Sequence, residues 1–313
     1  MKSINHLSNH NQILIRGTGA LACLFAARFA AKGITVNMLG TWEEGIEALS
    51  KRGVTIIDIK GNQSNYPVFA SNYPKDFPET NTALVLVKSY QTSFAANQLK
   101  DCLSEDGIAL TLQNGLGNRE KLVQILGEER VAIGVTSIGA TLLKPGYVKE
   151  GGKGIIVIPQ IAKLQNIKNL FDKARFEVKH DENTNSIIWK KLIINSAINP
   201  ITAILKVKNG DLLNLETVKD LLIASIQEGN KVSNSLGIDL NYADLIESLM
   251  TTLELTANNH SSMLQDLDRG TQTEIDAICG EIVKIGEQYN IPTPINQTLW
   301  HLIKAEESKI HNK

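Results

Sequence analysis

Three stretches of the chain carry side chains whose type and spacing suit chemistry. The first is Gly17-Thr18-Gly19-Ala20-Leu21-Ala22, which follows an apolar run and opens an Ala-rich one. Two glycines at this spacing permit a tight turn and let a pyrophosphate reach backbone N–H groups at a helix N-terminus, where the helix dipole favours an anion. Glycines in a turn need no ligand by themselves. Here a strand pattern before, a helix pattern after and a second strand on schedule make the stretch a G-x-G-x-x-A variant of the dinucleotide fingerprint. The end of that second strand should carry an acid for a ribose 2′-hydroxyl or an Arg for a 2′-phosphate. It reads Leu39-Gly40-Thr41-Trp42, in which Thr41 can give one hydrogen bond to a phosphate.

The second stretch is Trp189 to Pro200. Lys191, Asn195 and Asn199 recur every fourth residue and so stack on one face of a helix, among Ile187, Ile188, Leu192, Ile193, Ile194 and Ile198. A polar stripe on so apolar a helix is either a solvated face or the wall of a cleft, because polar groups buried without partners cost about 1–3 kcal/mol each. Asn is a poor helix former, and two of them in the stripe point to specific hydrogen bonding. The third stretch is Asn259-His260-Ser261-Ser262-Met263-Leu264-Gln265-Asp266, followed by Thr273-Glu274-Ile275-Asp276. Taken alone, Thr273 with the acids after it also reads as an N-cap and the first turn of a helix.

These residues need elements to position them. Gln12 to Ile15, Thr35 to Leu39, Val54 to Asp58, Thr82 to Val87, Gly107 to Leu112, Val131 to Ser137 and Gly154 to Pro159 read as strands, and Lys60-Gly61-Asn62 turns the third into a hairpin with Tyr66 to Ala70. Helices are expected over Ala20 to Lys32, Ser93 to Leu103 and Asn118 to Leu126. Strands alternating with helices predict an α/β fold with an open doubly wound sheet. From Ser186 onward only helical periodicity remains, over Ile187 to Leu205, Glu216 to Leu236, Tyr242 to Thr256, Glu274 to Tyr289 and Ile295 to Glu307. The 313 residues thus divide into a dinucleotide-binding domain, 1–182, and a helical substrate domain, 183–313.

Composition narrows the function classes. Lys and Arg number 32 against 33 Asp and Glu, so no overall field draws the chain onto nucleic acid or anionic lipid, and a small-molecule partner is expected. Cys23, Cys102 and Cys279 lie far apart in apolar patterns, which suggests neither a disulfide framework nor a zinc site. His6, His10, His180, His260, His301 and His311 form no His-x-x-x-His pair, so no metal is expected. The first twelve residues are polar and no early apolar run reaches the length of a span, so a cytoplasmic protein without a membrane segment is expected, as monomer or homodimer.

Taken together, Gly17 to Ala22, Val87-Lys88 with Gln91, Gln113-Asn114-Gly115-Leu116-Gly117, Trp189-Lys190-Lys191 through Asn195 to Asn199-Pro200, Asn209-Gly210, Ser261 to Asp266 and Thr273 to Asp276 resemble the ketopantoate reductase (2-dehydropantoate 2-reductase) family in family order. The resemblance runs from about Gln12 to Ser308. It implies a Rossmann domain followed by a helical domain like that of 6-phosphogluconate dehydrogenase, and NADPH-dependent reduction of ketopantoate to pantoate on the way to pantothenate and coenzyme A.

By the same resemblance Lys191 matches the catalytic lysine and Glu274 the acid that completes the site. Gly17, Thr18, Gly19, Ala20, Leu21, Ala22, Thr41, Lys88, Asn114, Ala140 and Glu274 match positions along the cofactor. Asn114, Lys191, Asn195, Asn199, Asn209, Asn259 and Ser262 match positions that hold substrate. Two positions depart from the pattern: Ala22 replaces the third fingerprint glycine, and Thr41 stands where the family usually has an Arg that grips the 2′-phosphate, which leaves NADH open beside NADPH. Hydride delivery to a ketone builds negative charge on its oxygen, and a lysine ammonium in a partly dry cleft can stabilise and protonate it. Reduction of another 2-oxo acid on the same scaffold, or a dinucleotide-binding sensor without catalysis, are the other readings; a sensor has no use for Lys191 together with Glu274.

Overall fold

The computed structural model describes residues 11–311; the polar stretch before them, with His6 and His10, and the side chain of His311 lie outside the described residues. The chain falls into two units, one made of the chain up to Gln113 with Asn118–Thr184, the other of Asn114–Gly117 with the chain from Asn185 on. In order, the first carries β1 (Gln12–Arg16), α1 (Ala20–Ala30), β2 (Thr35–Leu39), α2 (Glu43–Arg52), β3 (Val54–Ile57), β4 (Gln63–Tyr66), β5 (Phe69–Ser71), β6 (Thr80–Val85) and α3 (Thr92–Lys100). It continues with β7 (Leu103–Thr111), α4 (Asn118–Leu126), β8 (Val131–Ile133), β9 (Val135–Thr136), β10 (Ala140–Lys144), β11 (Tyr147–Glu150), β12 (Ile155–Ile158), α5 (Gln165–Lys173) and β13 (Glu177–His180).

Six strands form an all-parallel sheet in the order β5-β2-β1-β6-β7-β8, the doubly wound arrangement of a Rossmann domain. Both faces are covered, which is why the strands read as continuous apolar runs. Ile13 and Ile15 face α1 and a group of rings, Phe25, Phe29, Phe171 and Phe176, that binds α5 to α1; Leu14, Ala83 and Val85 face Ala95, Ala96 and Leu99 of α3. Gly33, at a φ of +68°, ends the first helical segment as its sequence suggests.

Two parts of the strand reading need correction. The hairpin partner of β3 is Gln63–Tyr66, not Tyr66 to Ala70, and β3 lies outside the main sheet, in a second one ordered β10-β11-β3-β4. The Asp58 carboxylate accepts from the backbone N–H of Lys60 and Asn62, so the chain reverses at once and pairs Ile57 with Gln63. Pro67 then ends β4, and Phe69–Ser71 is left to pair with β2 in the main sheet. The short polar helix α2, the hairpin β10–β11 and β13 have no apolar stripe long enough to declare themselves, whereas α5 carries one, Ile167, Leu170 and Phe171, that the sequence reading does not include.

The second unit, among the described residues, is built from α6 (Thr184–Leu205), α7 (Glu216–Ser235), α8 (Tyr242–Leu255), α9 (Ser262–Asp268), α10 (Cys279–Gln288) and α11 (Pro294–His311) with 3-10 turns between. Leu192, Ile193, Ala197 and Ile201 of α6 pack with Leu222, Ile226, Leu249, Ile282 and Leu299 from the surrounding helices. Pro200 sits inside α6 and removes the N–H that would bond to the Ser196 carbonyl; the Cys279 thiol, on α10, donates to that oxygen instead at 3.5 Å. The helix expected from Glu274 starts only at Cys279, after a 3-10 turn at Ile275–Ala277. No described helix is long and apolar enough to cross a membrane.

One buried charge stands out. Arg16, the last residue of β1, is 1% exposed; its Nη1 donates to the Leu39 carbonyl at 3.2 Å, while its Nε and Nη2 have no hydrogen-bond partner. Burial pulls its pKa down to about 10. A buried guanidinium without a carboxylate is a net cost that an apolar side chain of similar length avoids. Arg16→Met should therefore raise the melting temperature in a thermal unfolding scan, by the equivalent of about 1 kcal/mol or more; a lower one would mean that the guanidinium holds the end of β2 in place.

Candidate active site

The fingerprint folds as its residue types demand. Gly17 has a φ of +138°, and its N–H donates to the Leu39 carbonyl at 2.9 Å; a Cβ there would lie 2.8 Å from the Leu86 carbonyl oxygen. Glycine is thus required both by the backbone angle and by the approach of β6. Ala22 is fully buried in the core where α1 crosses β1, so the small side chain serves where a third glycine is usual. Thr18 is buried and lies against Gly40, where a Cβ would come within 2.5 Å of Thr18 Cγ2; Gly40 is thus a further required glycine, next to Thr41. Gly19 caps α1 with no side-chain hydrogen bond, and nothing lies within 4 Å of where its Cβ would be. An uncapped helix N-terminus with open space before it fits a pyrophosphate, with Thr18, Gly19, Ala20 and Leu21 lining the approach.

The other positions of this unit expected along a cofactor are less enclosed. Thr41 is exposed just past β2, Ala140 is half-buried at the start of β10, and Lys88 is half-buried ahead of the 3-10 turn Ser89–Gln91. Gln113, at the end of β7, donates to the Val87 carbonyl at 2.9 Å and to Thr92 Oγ1 at 2.8 Å, and Thr92 donates to Asn118 Oδ1 at 2.8 Å. This network ties the ends of β6 and β7 to the first turns of α3 and α4. Sequence pattern did not single it out, because its members are short polar residues far apart in the chain.

The residues between Gln113 and Asn118 pack with the second unit and bring Asn114 to Lys191 and Glu274. Gly115 and Gly117 take φ values of +82° and +79°, and the Leu116 N–H donates to the Ala277 carbonyl at 2.9 Å. That turn holds Asn114 against α6 and the Glu274 segment. Asn114 Oδ1 accepts from Lys191 Nζ at 2.8 Å, and Asn114 Nδ2 lies 3.4 Å from Glu274 Oε2. Glu274 is 6% exposed. Loss of water around the Lys191 ammonium lowers its pKa from 10.5 to about 8, while the charge of Glu274 pulls the other way. The amide thus uses its carbonyl to orient the ammonium and its NH2 group to face the carboxylate, which a second acid or base in its place could not do.

The remaining polar positions fall into two groups. Asn199 is buried; its carbonyl lies 3.0 Å from Thr202 Oγ1, and the same hydroxyl lies 2.8 Å from Ser261 Oγ, which places the start of α9 and its first residue Ser262 beside this part of α6. Asn195, one turn before, is half-buried on the same helix face as Lys191. Asn209 and Asn259 meet through the Asn209 N–H and the Asn259 carbonyl at 3.0 Å, and Asn209 Nδ2 donates to Thr256 Oγ1 at 2.8 Å. The Asn209 residue is 7% exposed, and its Oδ1 has no partner. A buried acceptor without a donor fits a ligand that brings a hydroxyl or amide hydrogen.

The turn around Gly115 generates a prediction. A Cβ on Gly115 would stand 2.5 Å from the Ala277 carbonyl oxygen, at a φ unsuited to L side chains. Gly115→Ala should push the turn away from Ala277 and displace Asn114. Turnover should fall at least tenfold, since displacements of about 1 Å can cost 10²-fold. Circular dichroism and steady-state kinetics check it.

Known proteins resemble the chain over nearly its whole length. The sequence matches the family described as ketopantoate reductase PanE/ApbA over residues 13–163 and its C-terminal counterpart over residues 183–307. It is 37% identical to a 2-dehydropantoate 2-reductase of Pyrococcus horikoshii, over 95% of this chain and 98% of that one, and 33% identical to that of Pyrococcus abyssi over the same shares. Among solved structures, a PanE/ApbA family ketopantoate reductase from Ralstonia eutropha superposes with a TM-score of 0.89 at 29% identity, covering 96% of this chain and 99% of the other. A D-mandelate dehydrogenase solved with NADH and anilino(oxo)acetate superposes at 0.91 and 23% identity, over 96% and 99%, a likeness of fold. With both halves matched and near full-length relatives above 30% identity, the chain belongs to the ketopantoate reductase family.

Proposed function

We propose that this protein is an NAD(P)-dependent oxidoreductase that reduces 2-dehydropantoate to (R)-pantoate, with NADPH as the preferred donor, a step that serves pantothenate and coenzyme A synthesis. Membership of the family and relatives named 2-dehydropantoate 2-reductase support the substrate. The observation that carries the chemistry is the Lys191 ammonium, 2.8 Å from Asn114 Oδ1, with Glu274 on the other side of the same amide.

The cofactor supplies a hydride when bound; the open N-terminus of α1 suits its pyrophosphate, Thr41 past β2 is offered to its adenosine end, and Lys88 is a further side chain along it. As the ketone carbon accepts that hydride, negative charge gathers on the ketone oxygen, where the Lys191 ammonium stabilises it and hands over a proton. A lysine with a pKa near 8 gives up that proton more readily than one at 10.5 and still holds it at neutral pH. Glu274 keeps the ammonium oriented and limits the fall of its pKa. The substrate has a carboxylate at one end and a primary hydroxyl at the other. Side-chain N–H groups of Asn195, Asn199 and Asn259 and the Ser262 hydroxyl can donate to the first, and the unpartnered Oδ1 of Asn209 can accept from the second. None of these adds a charge that would compete with Lys191.

Three experiments test the reading. Oxidation of NADPH and of NADH, followed by absorbance, should be fast with ketopantoate, slow with pyruvate and 2-oxoisovalerate, and faster with NADPH than with NADH. Absence of turnover with ketopantoate, with nucleotide binding intact, would move the protein to another acid or to a sensor. Lys191→Ala should lower kcat by about 10²–10⁴-fold, the range of one general acid. In the unaltered enzyme kcat/KM for reduction should fall as pH rises through about 8, because the acid form of Lys191 is lost there, whereas an ordinary lysine would hold its proton to 10.5. A flat profile to pH 10 would remove Lys191 from the role of acid.

A further inference from the structure

The segment that carries Glu274 is gripped on both sides by the last helix. Before it, Thr273 donates its N–H and its hydroxyl to Glu307 Oε1, at 2.8 and 2.7 Å. After it, Asp276 accepts from Trp300 Nε1 at 2.7 Å and from Lys304 Nζ at 3.0 Å, and Lys304 reaches Glu307 Oε2 at 2.8 Å. Trp300, Lys304 and Glu307 share one face of α11. Glu307 is only 5% exposed. It also lies near the C-terminal end of α11, where the helix dipole disfavours an acid. The helix dipole and solvation therefore give no reason for a carboxylate at this position; the two donors of Thr273 do.

We propose that Glu307 is a positioning residue for the reaction, fixing Thr273 so that Glu274 and the Ala277 carbonyl stand where Asn114 and Lys191 meet them. The inference rests on the proposed role of Lys191 and deepens it. Its logic is one of lever arms. Glu274 precedes a single 3-10 turn and has no side-chain cap of its own. Thr273, held by a buried acceptor, removes the freedom of the chain on one side of Glu274; Asp276, held by Trp300 and Lys304, removes it on the other. Ala277, the next residue, supplies the carbonyl that receives the Leu116 N–H and so sets Asn114. One helix face thereby sets two of the three members of the Lys191 group through the backbone on either side of Glu274.

The test compares Glu307→Ala with Glu307→Gln in the full-length protein. Gln keeps an oxygen for both Thr273 donors while losing the charge, so it separates geometry from electrostatics. Two readouts are taken: steady-state reduction of ketopantoate, and the titration of the Lys191 ammonium by heteronuclear NMR in protein without substrate or nucleotide, its resonance assigned by its loss in Lys191→Ala. Glu307→Ala should lower kcat about 10–100-fold and move the Lys191 titration to lower pH by about half a unit or more, because Glu274 no longer stays close enough to support the ammonium. Glu307→Gln should match the unaltered protein within about twofold in kcat, since the acceptor is kept.

Equal defects in the two variants, or a Lys191 titration unchanged in Glu307→Ala, would overturn the proposal. If Glu307→Ala does not fold, Thr273→Val removes one of the two donors: a smaller shift of the Lys191 titration in the same direction supports the proposal, and an unshifted one overturns it. Should the unaltered protein fail to reduce ketopantoate, the substrate assignment falls while the NMR comparison still decides the role of Glu307.

Discussion

The second unit depends on one close approach of two backbones. At Gly115 the chain comes so near to Ala277 that no side chain fits between them, and the Leu116 N–H closes the contact on the Ala277 carbonyl. The arrangement around Lys191 follows from it. The turn needs two residues at positive φ, which glycine adopts without penalty, and it brings an amide from one side to meet a lysine on α6 and an acid that precedes α10. A hydrogen bond between short side chains tolerates little error in distance, so the backbone contact sets the precision and the side chains use it.

The electrostatics of the group are a compromise between two opposed effects. Removing water from an ammonium makes it a better proton donor and a less stable cation; a nearby carboxylate does the reverse. Asn114 meets both groups as a neutral dipole, its carbonyl toward the lysine and its NH2 group toward the acid. Without the carboxylate the lysine would become neutral at a lower pH. Elsewhere in this unit polar groups are matched more strictly. The buried Glu228 receives the Ile295 and Asn296 N–H groups at the start of α11, and the Ser196 carbonyl freed by Pro200 receives a thiol. Two amide oxygens of this unit, Oδ1 of Asn209 and of Asn230, are left without a donor, and only Asn209 lies among the polar positions around Asn259.

What the sequence reveals depends on how local each feature is. The fingerprint is legible because six consecutive residues, a strand and a helix contain the whole signal, and the stripe of Lys191, Asn195 and Asn199 is legible because helical periodicity repeats it. The partners are another matter. Asn114 lies 77 residues from Lys191 and 160 from Glu274, and no pattern within a window connects them; only likeness to a known family did so. Glu307 and Thr273, 34 residues apart, had no such aid and were read as the end of one helix and a cap on another. The misread hairpin has a different cause. Val54 to Ile57 is an apolar run of the right length for the main sheet, and nothing in four residues says which sheet will take it; the turn at Asp58 and the proline at 67 decide.

The four residues from Asn114 to Gly117 are encoded between β7 and α4 of the Rossmann unit, yet they pack as part of the helical one. The architecture is therefore not a string of two modules. No single cut of the gene yields both units whole: a helical half expressed from Asn185 would lack the amide that faces its own lysine. Exchange of entire halves between members of such a family must carry this tetrapeptide across the boundary too, which ties the inheritance of the two halves together more closely than their separate cores suggest.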